Sequence, residues 1–239
     1  LRQRATSLAA VDYFVIDEAD RMLDMGFRDE IIEVLKRLPK QRQTLLFSAT
    51  LDDSVFSFSK RLLTQAKVIE AHARNQTAVT VTERVYHVDA KRKCDLLCRL
   101  IQAEKWQQVL IFSRTKQDAD LLVKQMSQRG VKVSAFHADL SQSVREQVLT
   151  DFKCEQLTAL VATDVAARGI DISQLNYVVN MELPFKQEDY VHRIGRTGRA
   201  ENPGEAISFI SPDDEHPFKI IQKKMGKWVT RIDFENLTF

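Results

Sequence analysis

The sequence predicts an α/β protein built from two doubly wound, parallel-sheet domains, and three observations predict it. Short apolar runs alternate with longer stretches whose apolar residues recur at helical spacing, the pattern of a parallel sheet covered by helices on both faces. That alternation lapses at 71–82, where the chain turns small and polar and then resumes. Chemistry-bearing residues follow the ends of the apolar runs, at the sheet edge where ligands of such folds bind.

In the first block, 1–70, strands are expected at 13–16, 44–47 and 68–70, with helices at 30–37 and 53–62. Ile31, Ile32, Val34, Leu35 and Leu38 form the apolar stripe of the first helix, and Pro39 with the polar run after it ends it. This block has the look of the back half of a doubly wound domain. Residues 71–82 are read as an interdomain linker. In the second block, 83–225, strands are expected at 84–88, 109–112, 133–136, 159–162, 177–180 and 206–210. Helices are expected at 93–103, 116–128, 141–153, 186–194 and 213–224. At about 140 residues this block can close its own core. Phe56, Phe58, Phe152, Phe209 and Phe218 are read as core packing, and 226–239 as a carboxyl-terminal tail of mixed character.

Composition removes several classes. A hydrophobic content of 44% and a charged content of 28% are those of a soluble globular protein. No apolar run approaches the ~18 residues that cross a membrane. A net charge of +2 says little about partners, because a near-neutral total can hide a basic patch. Cys94, Cys98 and Cys154 are too few and too far apart for a disulfide framework. Cys94 and Cys98 have the i,i+4 spacing of half a metal site, but no His or Cys nearby completes it, so free thiols in a reducing cytosol are expected. His87 and His137 also lack ligand spacing. Without an initiator Met or a signal peptide, Leu1 is expected to lie inside a longer protein.

Val15-Ile16 leads into Asp17-Glu18-Ala19-Asp20, so two adjacent carboxylates emerge at a strand's carboxyl end. One can hold Mg2+, directly or through water, and its neighbour can orient and deprotonate an attacking water. The alternative is a solvated acidic turn capping the next helix. Ser48-Ala49-Thr50 closes the following strand, either as a cap for the helix near Asp52 or as a relay hydrogen-bonded to Asp20. Far along the chain, His192-Arg193-Ile194-Gly195-Arg196-Thr197-Gly198-Arg199 sets three arginines and a histidine around two glycines. Carboxylates on one side and arginines on the other is a division of labour that phosphoryl transfer calls for. The alternative for the arginines is a basic turn paired with Asp189 or Glu201. None of the seven glycines lies in a G-x-x-x-x-G-K-[ST] frame, so this sequence holds no P-loop.

Asp17-Glu18-Ala19-Asp20 followed by Ser48-Ala49-Thr50 resembles motifs II and III of the DEAD-box RNA helicases of superfamily 2, and further motifs follow in order. Leu110-Ile111-Phe112-Ser113-Arg114-Thr115 resembles motif IV, and Gln142-x-x-Arg145 the adjoining Q-x-x-R element. Ala162-Thr163-Asp164-Val165-Ala166-Ala167-Arg168-Gly169-Ile170-Asp171 resembles motif V, and residues 192–199 motif VI. The resemblance runs over residues 11–211. The stretches Arg21-Met22-Leu23-Asp24-Met25-Gly26-Phe27 and Trp106-Gln107-Gln108-Val109-Leu110 are most similar to the bacterial RhlE-like branch.

The resemblance implies two RecA-like domains: the carboxyl-terminal half of an ATP-binding domain, its P-loop half missing, and a complete helicase C-terminal domain. It implies ATP-dependent RNA unwinding with ATP and Mg2+ as cofactors. Asp17 would help to hold Mg2+, Glu18 would position the hydrolytic water, and Arg196 and Arg199 would reach the γ-phosphate. Asp20, Ser48, Thr50 and His192 would couple the domains, with Arg168 in a bridging ion pair. Asp171 would lie near the ribose, with Gly169 allowing close approach. Arg114, Thr115, Arg145 and Thr163 would hold the RNA backbone, giving little sequence preference. The resemblance also implies a cytoplasmic monomer, no membrane association, and ribosome-assembly or RNA-decay factors as partners. Without a P-loop, the 239-residue chain alone is expected to lack ATPase activity. Two rivals stand beside this reading: a non-catalytic RNA-binding or partner-docking module built on the second domain, and a DNA helicase of the same superfamily.

Overall fold

The computed structural model describes residues 7–49, 51, 53–63, 65–69, 81–167, 170, 172, 175–198 and 203–234. The chain divides into two compact units, Leu1–Arg74 and Asn75–Phe239.

In the first unit, strands β1 (Tyr13–Ile16) and β2 (Gln43–Leu46) pair in parallel, Tyr13 opposite Gln43 and Ile16 opposite Leu46. Helices α1 (Ala19–Asp24) and α2 (Arg28–Leu35) connect them, and α3 (Asp53–Leu62) follows. Ile16, Ala19, Ile31, Val55 and Phe58 form the buried core. Phe56 departs from its expected core role: it is 43% exposed, with the Lys60 ammonium 4.2 Å from its ring. Val55 and Phe58, three residues apart, hold the inward face of α3, and Phe56 lies off it. The strand expected at 68–70 is also absent where the chain is described. Val68 and Ile69 are exposed coil, since so short a run extends only where a neighbouring strand offers hydrogen bonds; Glu70 lies outside the described residues.

The second unit holds, among the described residues, seven parallel strands in the order β5-β6-β4-β7-β8-β3-β9. They are β3 (Val81–His87), β4 (Val109–Ser113), β5 (Val133–Phe136), β6 (Ala159–Thr163), β7 (Tyr177–Asn180), β8 (Gly204–Ile210) and β9 (Arg231–Asp233). Between them run α4 (Lys93–Ala103), α5 (Lys116–Gln128), α6 (Gln142–Lys153), the short α7 (Asp164–Ala167), α8 (Gln187–Ile194) and α9 (Glu215–Met225). Period-two alternation sends Val109 and Ile111 towards α4 and α5, and Leu110 and Phe112 towards α6. Val81, Val85, Ala206 and Ile210 pack with Tyr190 and Ile194 of α8 and Phe218 and Ile221 of α9. Both faces are therefore covered, which is why the strands read as unbroken apolar runs.

Local signals set the helix ends. The Thr115 hydroxyl accepts from the Asp118 amide to start α5, and Ser141 accepts from Val144 to start α6. A capping box of Ser211 and Asp214 precedes α9, which ends at Gly226 in the left-handed region (φ 65°). The limits expected for the linker and for the tail both differ. Val81 and Thr82, expected in the linker, open β3 and pair with Gly204 and Glu205; residues 71–80 lie outside the described set. The expected tail supplies β9, whose Arg231–Asp233 pairs with Val85–His87, so the sheet extends past 225. Three residues carry too little pattern to reveal a strand that depends on an available edge.

Candidate functional site

Asp17, Glu18 and Asp20 follow β1. Glu18 has φ 49° and ψ 49°, a left-handed conformation costly for a residue with a side chain and common at functional turns. The Asp17 carboxylate is exposed and accepts from the Glu18 amide at 2.9 Å. The Ala19 amide donates to Phe47 O at 3.0 Å, and the Asp20 amide to Ser48 Oγ at 3.3 Å. Parallel pairing of β1 with β2 thus brings the turn after one strand against the turn after the next, joining two sequence motifs 28 positions apart. Thr50 lies outside the described residues.

A lone exposed Asp17 suits Mg2+ held mainly by water and phosphate, the usual arrangement for this ion. It would not suit a protein cage, and among the described residues no group of three His, Cys, Asp or Glu could form one.

In the second unit the chain crosses from β6 to β7 on the other side of β4, a switch point at whose carboxyl edge ligands bind in open α/β sheets. Ser113 and Thr163 are register partners, so Thr163 ends beside Arg114 and Thr115. The Arg114 amide donates to the Glu182 carboxylate at 3.1 Å, and its Nε and Nη2 to Leu183 O at 3.3 and 3.2 Å. Its guanidinium stacks 5.1 Å from the exposed ring of Phe185. Burial raises the Glu182 carboxyl above the usual carboxylate range, the Arg114 amide opposing it. On α6, the Arg145 guanidinium sits 5.0 Å from the Phe136 ring, and its buried Nε has no hydrogen-bond partner among the described residues.

Helix α8 carries His192, half-buried, and leads into Arg196, also half-buried. Thr197 Oγ1 donates to Leu175 O, and Leu175 bridges Thr197 in parallel, so the segment around 196–198 lies against the amino ends of β7 and β8. Gly204 makes this possible: a Cβ there would meet Thr197 Oγ1 at 1.8 Å and the Gly198 amide nitrogen at 2.5 Å. Arg168, Gly169, Asp171, Arg199 and Glu201 lie outside the described residues.

Sequence reasoning left Arg193 without a role. It is 1% exposed, and its Nε and Nη2 donate to Asp164 Oδ1 and Oδ2 at 2.7 and 2.8 Å. Its Nη1 donates to Asn180 Oδ1 and to Glu182 O at 3.2 and 2.7 Å, and the guanidinium lies 5.0 Å from the Phe112 ring. This bidentate pair ties the residue after β6 to α8. Asp164 and Arg193 both sit inside recognised motifs, yet only the sheet order joins them.

A parallel sheet covered by helices on both faces, with the chain crossing from β6 to β7 on the other side of β4, defines an open α/β domain of the RecA-like class. Residues 1–58 match the DEAD/DEAH box helicase family, and residues 92–201 match the helicase conserved C-terminal domain. The chain belongs to the DEAD-box helicase family. It is 40% identical over 227 residues to the ATP-dependent RNA helicase CshA of Listeria monocytogenes, covering 95% of this chain and 44% of that protein. It is 42% identical over 224 residues to the DEAD-box ATP-dependent RNA helicase CshA of Geobacillus kaustophilus, covering 92% and 48%. Among solved structures it is similar to Saccharomyces cerevisiae Dbp5 bound to RNA and ADP BeF3, with a TM-score of 0.84, 33% identity, and coverage of 97% of this chain and 62% of that one. The chain thus spans less than half the length of these curated relatives. Both carry the CshA name, so the expected RhlE-like branch is left without support.

Proposed function

We propose that the protein is an ATP-dependent RNA helicase that locally unwinds or remodels RNA by ATP-driven closure of two RecA-like domains. One observation carries the reading: the acidic turn with its serine-bonded neighbour, and the arginine helix with its ion-paired base, both stand at strand ends of a chain that belongs to this family. ATP would supply the driving free energy, with Mg2+ screening its phosphates. Asp17 would hold that ion through water, and Glu18 would orient and accept a proton from the attacking water. Arg196 and Arg199 would neutralise charge at the terminal phosphate. Asp171 would bind near the ribose, with Gly169 permitting close approach. Asp20, Ser48, Thr50, His192 and Arg168 would couple nucleotide state to RNA grip. Arg114, Thr115, Arg145 and Thr163 would hold RNA through phosphates and sugars, so sequence preference would be low. The same resemblance supports a cytoplasmic monomer with ribosome-assembly or RNA-decay factors as partners.

A second reading applies to the 239-residue chain by itself. Because no glycine lies in a P-loop frame, this polypeptide would act as an RNA-binding module without turnover. One titration tests both. The purified chain should bind single-stranded RNAs of unrelated sequence alike, more tightly than DNA, and show no RNA-stimulated ATP hydrolysis. Arg145→Ala should weaken all RNAs equally and flatten the dependence of log K on log salt by about 0.7. Sequence-selective loss, or no RNA binding by the unaltered chain, would overturn the assignment.

A further inference from the structure

Beneath α8, a line of polar side chains crosses the otherwise apolar face of the second unit's sheet. Lys227 Nζ lies 2.9 Å from Glu83 Oε1. Glu83 Oε2 accepts from the Tyr190 hydroxyl at 3.2 Å, and that hydroxyl is 3.0 Å from Ser208 Oγ. Ser208 Oγ accepts from Asn180 Nδ2 at 3.1 Å, and Asn180 Oδ1 accepts from Arg193 Nη1 at 3.2 Å. The line ends in the Arg193–Asp164 pair. Tyr190, Ser208 and Asn180 are each 0% exposed, and the Glu83 side chain is 2% exposed.

The hydrogens can be assigned in one direction throughout. Arg193 is donor-only, so it must meet the Asn180 oxygen, which turns the amide nitrogen to Ser208. Ser208 then donates to Tyr190, and Tyr190 to the Glu83 carboxylate. Every hydroxyl gives one hydrogen and takes one, with a cation at the head and an anion at the foot, an arrangement in which each bond polarises the next. Burial, then the Glu83 charge, pushes the Tyr190 phenol well up, which keeps it protonated as the donor.

Stability alone does not explain such a line. Apolar residues of similar volume in place of a buried ionic network are often neutral or stabilising. What hydrogen bonds add is direction. Helix α8 spans eight residues, too short to hold its own geometry, and its polar composition gives it a thin apolar stripe. Tyr190 and Arg193 lie one turn apart and pin one face of it at two points; at about 3.6 residues per turn, His192 projects away from that face. Glu83 is on β3, Ser208 on β8 and Lys227 just past the Gly226 cap of α9, all outside the matched segment 92–201.

We propose that this line is a positioning device. Tyr190, Ser208 and Asn180 fix the rotation and height of α8, and with them the positions of His192 and Arg196, and Lys227 makes the segment after α9 part of the same device. The roles of His192 and Arg196 rest on the function proposed above; the device itself does not.

The test uses the 239-residue chain, isotope-labelled, with neither nucleotide nor RNA. Tyr190→Phe removes one hydroxyl and keeps the ring that packs edge-on against Phe218. It should shift the Arg193 Nε–H resonance, three links away, and speed amide exchange at 190–197 roughly tenfold relative to β4 and β6. Lys227→Gln keeps a hydrogen-bond donor beside the Glu83 carboxylate while removing the ammonium charge, and should move the same signals in the same direction by less. An unmoved Arg193 resonance in both variants, or exchange that rises equally across the sheet, would overturn the proposal. Absence of RNA binding would sink the proposed function and leave this result standing.

Discussion

Strand β4, Val-Leu-Ile-Phe-Ser, is buried along its whole length, whereas in β1, Tyr-Phe-Val-Ile, only Ile16 is buried and Tyr13 and Val15 are 68% and 51% exposed. The two runs are equally apolar, so the difference lies in their surroundings. β4 has β6 and β7 on either side and helices on both faces. β1 pairs with β2, and among the described residues nothing covers the face that carries Tyr13 and Val15. A run of apolar residues proposes a strand; neighbouring elements decide whether it is stabilised. At about 1.5–3 kcal/mol for each large side chain fully buried, the first unit forgoes much of what its sequence could contribute.

The largest expected effect tests this contrast directly. Native-state hydrogen exchange should find β4 and β6 amides protected by a further ~10³-fold or more over β1 and β2 amides, because core elements open only with the whole domain and thin ones open locally. Equal protection would show that the exposed face of β1 costs nothing, and the comparison would fail.

A second measurement places one kind of interaction in both regions. Arg193–Asp164 is an ion pair with a 1% exposed arginine; Arg37–Glu33 on α2 is solvent-washed at 3.2 Å. Removing one partner of a buried pair strands the other charge, so Asp164→Ala should cost about 3–5 kcal/mol in urea unfolding of the second unit. Glu33→Ala should leave the first unit's midpoint within error, exposed pairs being screened by water. Similar losses at both sites would mean that Arg193 finds other partners when Asp164 is gone.

Legibility followed the same division. The strands at 13–16, 133–136 and 177–180, and the helices at 53–62, 93–103 and 116–128, stand where periodicity puts them, since each carries its own pattern or cap. Elements that depend on distant partners were hidden. β9 needs the free edge of β3, and the polar line under α8 needs Asn180 opposite Ser208, a register no local signal encodes. Phe56 is exposed because, one position from the inward-facing Val55, it lies about 100° round the helix from it, and its residue type alone does not show which face it takes. The acidic turn and the arginine motif were legible because their residue types are rare together; the base of the arginine helix was not, because Asp164, Asn180 and Arg193 are joined only by the fold.

The smallest effect concerns acids just past strand ends, which both regions possess. Asp17 follows β1 and is exposed; Glu182 follows β7 and is desolvated, with burial raising its carboxyl and the Arg114 amide opposing. A group that holds its proton more tightly folded than unfolded favours the fold at low pH, and that contribution is lost as pH rises through the folded value. Glu182→Gln keeps an acceptor for the Arg114 amide without the charge. The variant should therefore be slightly more stable than the parent at pH 7, the gap closing as pH falls towards about 4, where an unfolded glutamate protonates. Asp214 supplies the opposite sign. Burial raises it, but the Ser211 hydroxyl and the Lys93 ammonium outweigh that and hold its carboxyl low, so its contribution is present above an unfolded value of about 4 and lost on acidification. Asp214→Asn should be less stable at pH 7, its gap also closing in acid. A Glu182→Gln variant no more stable than the parent at pH 7 would show that burial does not govern Glu182, and the contrast between a solvated strand-end acid in one region and a desolvated one in the other would lose its energetic meaning.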